Sequence, residues 1–243
     1  MTTRIDNVFI NLLRDIFVDE FAEPDILTNM DQLHLLLNTD KINEHDKKHY
    51  LAVPTLGVND RKCVFVNTFH KHIDADTNTN TFLNTYYDFI KEYIKPLFPN
   101  EDQIVIQKTP NLRISFPNLT AIGAKPDDPE GIIGLHKDSD FGHHNDEINF
   151  IIPITEMYDT NSIYYEPYAD SLMDYDQYLN LKLNTNEMFT EKFNKLKHYN
   201  KINITNKTRI SFDLRIIPYS KYMEDIEFFR GTKFELGKYY ISL

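Results

Sequence analysis

The sequence predicts an α+β protein in which helices pack on one sheet of a jelly-roll core. Apolar residues recur at helical spacing through most of residues 1–102, whereas short β-type runs alternate with turn residues from Gln103 onward. Several short strands after a helical start are typical of two antiparallel sheets with helices against one outer face. The 243 residues contain no repeat, Gly/Ser linker or low-complexity tract, so we expect a single domain, 1–243.

Residues 1–102 are expected to form a mainly helical N-terminal layer. Three helices are predicted, over residues 5–21, 25–37 and 79–98. In each of them apolar side chains return every three or four residues and so share one face. Pro24 ends the first helix and Pro99 the third, because proline cannot continue a helix. The apolar run from Lys62 to Phe69 is instead strand-like.

Residues 103–218 are expected to form the jelly-roll core. Its short apolar runs are bounded by turn residues, as strands usually are. Strands are predicted over residues 104–106, 112–116, 131–135, 147–154, 162–165 and 208–217. The stretch from Leu172 to Leu196 has few β signals, and a helix is predicted near Glu187–Leu196. Residues 219–243 are expected to form a C-terminal extension.

Composition narrows the class of protein. The net charge of −11 opposes a nucleic-acid partner, since such binders neutralise phosphates with clustered Lys and Arg. The single cysteine, Cys63, cannot form an internal disulfide, which suits a reducing compartment. Charged residues flank and interrupt the apolar stretch from Val8 to Val18, so it reads neither as a signal peptide nor as a membrane span. We therefore expect a cytoplasmic protein with no membrane partner.

A possible metal site follows one of the predicted strands. His136-Lys137-Asp138 comes directly after the apolar run Ile132–Leu135, and side chains two residues apart on a strand point to the same face. An imidazole and a carboxylate so placed can bind one metal ion, but a His-x-Asp pair also arises by chance. A third ligand is needed, and His198 is the candidate.

Arg209 strengthens this interpretation because it lies eleven residues after His198, on the predicted strand 208–217. A turn at Asn206-Lys207 is expected to let that strand run back beside His198. Arg209 and Ser211 share one face of the strand. An arginine beside two histidines and a carboxylate can hold a distal carboxylate by a bidentate, charge-assisted pair. Such a facial triad leaves positions open for a 2-oxo acid and O2, the arrangement expected of non-haem Fe(II) oxygenases.

These motifs resemble the signature of the Fe(II)/2-oxoglutarate-dependent dioxygenases, and more narrowly a streptomycin-biosynthesis-type branch of putative oxygenases. The resemblance covers roughly residues 103–218. It is carried by His136-x-Asp138, His198, Arg209-x-Ser211 and by the segments Pro110–Ile114, His136–His143, Glu147–Thr155, Thr160–Asn161 and Asn206–Pro218. The stretch 168–197 departs from the pattern, because this branch usually has a compact Gly-containing turn there.

The resemblance implies a double-stranded β-helix core and a set of roles for the site residues. His136, Asp138 and His198 would hold Fe(II), and Arg209 with Ser211 would anchor the C5 carboxylate of 2-oxoglutarate. The reaction would consume O2, convert 2-oxoglutarate into succinate and CO2, and hydroxylate or otherwise oxidise a small-molecule substrate. A small polar metabolite, amino-acid-derived or amino-sugar-like, is the substrate expected.

Other polar residues are weaker candidates. Substrate contacts, with structural roles as the alternative, are predicted for Arg113, His143, Asn149, Glu166 and Arg215. His143 and His144 are rival metal ligands within a crowded polar segment. His70-Lys71-His72 with Asp74 resembles a metal pair on a strand, but no third ligand accompanies it.

Two functions of other classes stay open. A cupin-like metal-dependent isomerase or epimerase would use the same fold and histidines without a cosubstrate. A non-catalytic jelly-roll binding module would need no metal at all. The sequence does not indicate the oligomeric state.

Overall fold

The computed structural model describes residues 1–43, 63–75, 81–118, 133–170 and 174–243 of the chain. Two antiparallel sheets and a layer of helices make up these residues. The strands are β1 Thr2–Arg4, β2 Ile104–Gln107, β3 Asn111–Ser115, β4 Ile133–His136, β5 Ile148–Pro153, β6 Ile163–Tyr165, β7 Leu179–Asn180, β8 Glu187–Glu191, β9 His198–Asn200, β10 Arg209–Pro218 and β11 Tyr240–Ser242.

The larger sheet is organised around the ten-residue strand β10. Its order is β1-β8-β5-β10-β2-β11, and β3 also pairs with β10. On one side β10 pairs with β5, so that Arg215 lies opposite Asn149. On the other side it pairs first with β3, where Arg209 lies opposite Ser115, and then with β2. The smaller sheet has the order β4-β9-β6-β7.

The helices cover one face of the larger sheet. They are α1 Phe9–Phe21, α2 Pro24–Leu27, a 3₁₀ helix Met30–Asn38, α3 Val64–Ala75, and α4 Thr81–Phe89 with a π turn Ile90–Ile94 and a 3₁₀ turn Lys95–Leu97. Two short helices, α5 Tyr219–Glu224 and α6 Ile226–Phe229, follow β10. None of the described helices is long and apolar enough to cross a membrane.

Strict alternation along β10 separates the apolar core from a polar inner face. Ile210, Phe212, Leu214 and Ile216 are buried against the helices, within the largest apolar cluster of the protein. The residues that alternate with them are Arg209, Ser211, Asp213 and Arg215, which point the other way because successive strand side chains alternate. The predicted assignment of Arg209 and Ser211 to a common face is therefore confirmed.

Phe212 should be the most costly single truncation in this core. Its ring is 1% exposed and lies 5.3–5.8 Å, centroid to centroid, from the rings of Phe9, Phe69 and Phe82. Phe212→Ala is expected to lower the free energy of unfolding by about 3–5 kcal/mol, since the cavity adds to the lost transfer free energy. Chemical denaturation monitored by circular dichroism measures this. A loss below about 1 kcal/mol would contradict the packing described.

Two predicted elements are wrong in type. The strand predicted over residues 62–69 is part of helix α3, with Lys62 itself outside the described residues. Its buried residues, among them Phe65, Phe69 and Ile73, recur at a spacing of four, which a short apolar run does not reveal. The helix predicted near Glu187–Leu196 begins instead as strand β8, which β1 and β5 pair on either side. Those pairing partners are distant in sequence and override local helix propensity.

The remaining elements agree in type and differ at their ends. The first helix starts at Phe9 rather than at residue 5. The second, predicted over 25–37, is divided into α2 and the 3₁₀ helix. The third changes to a π turn ahead of Pro96, whose ring displaces the preceding turn, and then to a 3₁₀ turn that contains Pro96. All six predicted strands are present. Residues 79–80 of the predicted third helix and residues 131–132 of the predicted strand 131–135 lie outside the described part of the chain.

Candidate metal centre

His136 and His198 lie directly opposite each other on the neighbouring strands β4 and β9. Their ring centroids are 4.4 Å apart. Asp138 begins a 3₁₀ turn just beyond β4, and the intervening Lys137 keeps an extended backbone, with φ −103° and ψ 148°. Strand-like alternation therefore continues one residue past the strand, which turns His136 and Asp138 toward the same side, as the motif predicts.

The three side chains converge on one point. Oδ1 of Asp138 lies 3.7 Å from Nε2 of His136 and 3.6 Å from Nε2 of His198. One ligand atom from each residue falls within 4.8 Å of the others. Nδ1 of His198 donates to the carbonyl of Leu196 over 3.1 Å, which leaves the Nε2 lone pair facing the other two ligands. This arrangement can hold one divalent cation.

The second oxygen of Asp138 is held by the larger sheet. Oδ2 accepts hydrogen bonds from Nδ2 of Asn149 (2.8 Å) and from Nη2 and Nε of Arg215 (2.8 and 3.2 Å). Asn149 in turn accepts the backbone N–H of Phe193 through Oδ1. The carboxylate thus presents one oxygen to the histidines and gives the other to fixed donors. Asn149 and Arg215, predicted as substrate contacts, lie against Asp138.

The charges around the centre favour the metal-binding forms of two ligands. Burial by itself raises the pKa of Asp138, but Arg215, the hydrogen bond with His136 and the nearby His198 hold that pKa well below its usual range. Burial lowers the pKa of His198 to about 4. Near neutral pH the carboxylate is therefore ionised and the imidazole of His198 is neutral, so neither has to release a proton to bind a cation.

Replacing Arg215 should weaken metal binding without removing a ligand. Arg215→Lys keeps the positive charge but loses the forked donors that hold Oδ2 of Asp138. We expect about 10–100-fold weaker Co(II) binding by calorimetry, the usual cost of removing a group that orients a ligand. Arg230→Lys is the matched control, because Arg230 lies at the surface and pairs with Glu227. Equal affinities in the two variants would contradict this role of Arg215.

Arg209 is a buried cation on the inner face of β10. Its side chain is 5% exposed, and its Nε has no hydrogen-bond partner anywhere in the described structure. Burial, together with the neighbouring Arg113, lowers the pKa of Arg209 to about 10. Leaving a guanidinium nitrogen buried and unpaired costs stability. A carboxylate bound beside it would supply the missing acceptor.

Ser211 and Asp213 separate Arg209 from Arg215 on the same face of β10. Ser211 is buried and lies opposite Arg113 of β3. Asp213 accepts hydrogen bonds from Arg113 Nε (3.1 Å) and from Nδ2 of Asn111 (2.6 Å). Arg113, a predicted substrate contact, is thus tied to Asp213 while its side chain remains 37% exposed.

The other candidates have separate partners. Glu166 is fully buried and accepts the backbone N–H of Lys197, whose Nζ lies 3.6 Å from Glu166. Nδ1 of His143 lies 2.8 Å from Oε2 of Glu147. His144, Asp146 and Asp225 form a second group with ligand atoms within 4.8 Å. Nε2 of His144 lies 3.1 Å from Oδ2 of Asp225, and its Nδ1 accepts the backbone N–H of Asp146.

The pair predicted at His70 and His72 is wrong in its geometry. Both residues lie on helix α3, where positions two apart point to nearly opposite sides. The groups able to hold a metal among the described residues do not include them. The strand β10 also differs from prediction, because it belongs to the larger sheet and does not pair with β9 beside His198. The centre therefore lies between two sheets.

Three residues of the site's surroundings were missed by sequence reasoning. Glu147, Tyr239 and Tyr240 contact Arg215 or one another close to Asp138. Glu147 begins a predicted strand and belongs to the crowded polar segment and to the resembling segment Glu147–Thr155, but no role is predicted for it, and the two tyrosines lie in the C-terminal extension. No local pattern marks them, because their partners are distant in sequence. A cleft of about 390 Å³ between α1, the start of the 3₁₀ helix and the segment after β5 is separate from the centre, and its described lining contains no predicted site residue.

Comparison with known proteins gives one sequence relative and several remote structural likenesses. No protein-family model matches the chain. It is 28% identical over 143 residues to the streptomycin biosynthesis protein StrG of Streptomyces griseus, a match that covers 57% of this chain and 60% of StrG. The chain thus spans less than two thirds of that curated relative.

Three of the solved structures that resemble the chain are titled as non-haem enzymes or were solved with a metal. ThoJ, a non-haem monooxygenase solved with nickel, has a TM-score of 0.37 at 12% identity, covering 48% of this chain and 45% of ThoJ. SnoN, an alpha-ketoglutarate-dependent epimerase from nogalamycin biosynthesis, has a TM-score of 0.34 at 10% identity, covering 47% of each chain. HygX of Streptomyces hygroscopicus, solved with nickel and 2-oxoglutarate, has a TM-score of 0.31 at 10% identity, covering 73% of this chain and 87% of HygX. These likenesses are remote.

Proposed function

We propose that this chain is a non-haem Fe(II)- and 2-oxoglutarate-dependent dioxygenase that oxidises a small polar metabolite. The observation that carries the proposal is the pairing of two features. His136, Asp138 and His198 converge on one point, and the buried guanidinium of Arg209, whose Nε lacks a partner, lies on the inner sheet face that holds Asp138. Together they provide a metal site and an anchor for a carboxylate.

The strand order supports a double-stranded β-helix core within a single domain, 1–243. Between β3 and β10, the larger sheet contains β3, β5, β8 and β10, and the smaller sheet contains β4, β6, β7 and β9. The chain therefore changes sheet at every step except from β6 to β7. Each half of the core thus crosses repeatedly between the sheets, which is the winding of a jelly roll. The two histidines lie on the smaller sheet and Arg209 on the larger one.

The donor set fits Fe(II). Two imidazoles and one carboxylate form the facial triad of non-haem iron oxygenases and leave positions for other ligands. Asp138 supplies the single negative charge, and its orientation is set by Arg215 and Asn149. Leu196 sets the orientation of His198 through Nδ1.

Arg209 and Ser211 are assigned to the distal carboxylate of 2-oxoglutarate. A guanidinium forms two parallel, charge-assisted hydrogen bonds to a carboxylate, and the Ser211 hydroxyl can donate a third. With iron, 2-oxoglutarate and O2 bound, the centre would supply oxidative decarboxylation to succinate and CO2 coupled to oxidation of the substrate. The chain's own contribution is to orient the cosubstrate and to neutralise its charge within a buried face.

The substrate class is inferred from a sequence similarity and from two charged side chains near the centre. Similarity to a streptomycin biosynthesis protein favours an amino-acid-derived or amino-sugar-like metabolite. Arg113 and Asp213 are both partly exposed on the inner face and offer a cation and an anion to such a molecule. The net charge of −11 favours a partner other than nucleic acid.

An anaerobic titration tests the proposal. Fe(II)-loaded protein is titrated with 2-oxoglutarate, and the visible charge-transfer band of the chelated cosubstrate is followed. A saturable band is the expected result. Folded protein that binds iron without giving a band would support a cupin-like isomerase or epimerase. Folded protein that binds neither Fe(II) nor 2-oxoglutarate would support a non-catalytic binding module.

A further inference from the structure

Glu147 is a fully buried carboxylate next to the metal centre. Oε1 accepts the Tyr240 hydroxyl over 2.6 Å and the backbone N–H of His144 over 3.0 Å. Oε2 lies 2.8 Å from Nδ1 of His143 and 3.5 Å from Nε of Arg215. An ionised group with no solvent exposure persists only where such partners offset its desolvation.

Arg215 connects Glu147 to Asp138. Its Nε and Nη2 donate to Oδ2 of Asp138, and its Nη1 donates to the hydroxyl of Tyr239 over 3.3 Å. The guanidinium therefore donates to Asp138 and lies 3.5 Å from Glu147, and Oδ1 of Asp213 lies 3.7 Å from its Nη1. A planar group held on several edges has little freedom to rotate.

The C-terminal extension supplies part of this network. Tyr240 is completely buried and lies opposite Gln107, because β11 pairs with β2. Tyr239 precedes it and contacts Arg215. Residues beyond the predicted jelly-roll core thus reach the donors that orient a metal ligand.

The charge balance explains what Glu147 adds. Asp213 also lies 3.7 Å from Nη1 of Arg215, but it pairs with Arg113 as well. Glu147 contributes a third carboxylate, beside Nε of the guanidinium, while Oδ1 of Asp138 stays directed at the histidines.

We propose that Glu147 is a positioning residue of the metal centre. Together with Tyr240 it fixes Arg215, which fixes the Asp138 carboxylate. The inference rests on the metal site of the proposed function. It assigns a role to a residue that touches neither the metal ligands' donor atoms nor the cosubstrate anchor.

Co(II) is the probe, since its electronic spectrum reports ligand geometry without turnover. In Glu147→Gln the amide keeps the shape of the side chain, but it removes the negative charge beside Arg215 and presents a donor to Nδ1 of His143. We expect about 10–100-fold weaker Co(II) binding and altered d–d bands. Tyr240→Phe removes one hydrogen bond to Glu147, and we expect a smaller change in the same direction.

Tyr222→Phe is the matched control. Tyr222 is also a buried tyrosine of the extension, but its hydroxyl accepts the backbone N–H of Leu236. Wild-type affinity and spectrum in this control, with both changed in Glu147→Gln and Tyr240→Phe, would support the inference. Wild-type spectra and affinities in all three variants would overturn it, as would equal losses in all three. Failure of wild-type protein to bind Co(II) would overturn the metal site itself.

Discussion

Replacing Asp138 by Ala is expected to abolish binding of a divalent metal. Asp138 is the only anion of the converging set, and its Oδ1 faces both histidines at 3.6–3.7 Å. Without it, only the two imidazoles remain beside the buried cation Arg215, which repels a metal ion. We expect at least a 100-fold loss of Co(II) affinity by calorimetry and no 2-oxoglutarate charge-transfer band.

A matched control separates this effect from a general loss of carboxylate charge. Asp170→Asn removes an exposed carboxylate that pairs with Lys137, the residue between the two motif ligands. Its metal affinity should stay within about threefold of wild type, because exposed ion pairs contribute little. Asp138→Asn should behave like Asp138→Ala, since the amide can still accept from Arg215 but brings no charge. Tight metal binding by either Asp138 variant would contradict the assigned ligand set.

Replacing Arg209 by Met is expected to remove 2-oxoglutarate binding and to leave the metal site intact. A bidentate, charge-assisted pair is lost, which we expect to weaken 2-oxoglutarate at least about 100-fold. Co(II) affinity should be unchanged, because Arg209 contacts none of the three ligands. Titration of the charge-transfer band measures the affinity for 2-oxoglutarate, and calorimetry measures the affinity for Co(II).

Stability gives a second measurement on the same variant. Burial lowers the pKa of Arg209 to about 10, so below that pH the folded protein carries a charge that costs stability relative to the unfolded chain. Met removes this charge at similar length, and thermal unfolding at pH 7 should show a variant at least as stable as wild type. Arg209→Lys keeps a cation without the fork, so an intermediate affinity is expected. Wild-type 2-oxoglutarate binding by Arg209→Met would contradict the anchor.

Much of the candidate site could be predicted from the sequence because its signals are local. His136 and Asp138 are two residues apart at the end of an extended run, and Arg209 and Ser211 share one face of a ten-residue strand. In each pair the two side chains point to the same side because strand side chains alternate, and this can be predicted without any distant residue. The change from helical spacing to short β-type runs at Gln103 is also visible locally. Most predicted helices and strands are therefore helices and strands in the structure.

The errors fall where local and distant signals disagree. The run from Val64 to Phe69 is short and rich in β-branched residues, yet it packs as the first turns of a longer helix. The segment from Glu187 to Glu191 forms a strand because β1 and β5 flank it. Short apolar runs do not reveal their own period, and tertiary pairing decides them.

The sequence by itself determined the alternation of β10, the metal-ligand motif and the spacing of Arg209 from His198, because each depends on the geometry of a single strand or on chain order. The tertiary structure alone decided that His136 faces His198, that Arg215 holds Asp138, and that Glu147 and Tyr240 complete the surroundings of Arg215. These contacts join residues up to 93 positions apart. Burial makes such polar contacts necessary, since an ionised group without water must find partners within the fold, and only the packed sheets determine which partners are near.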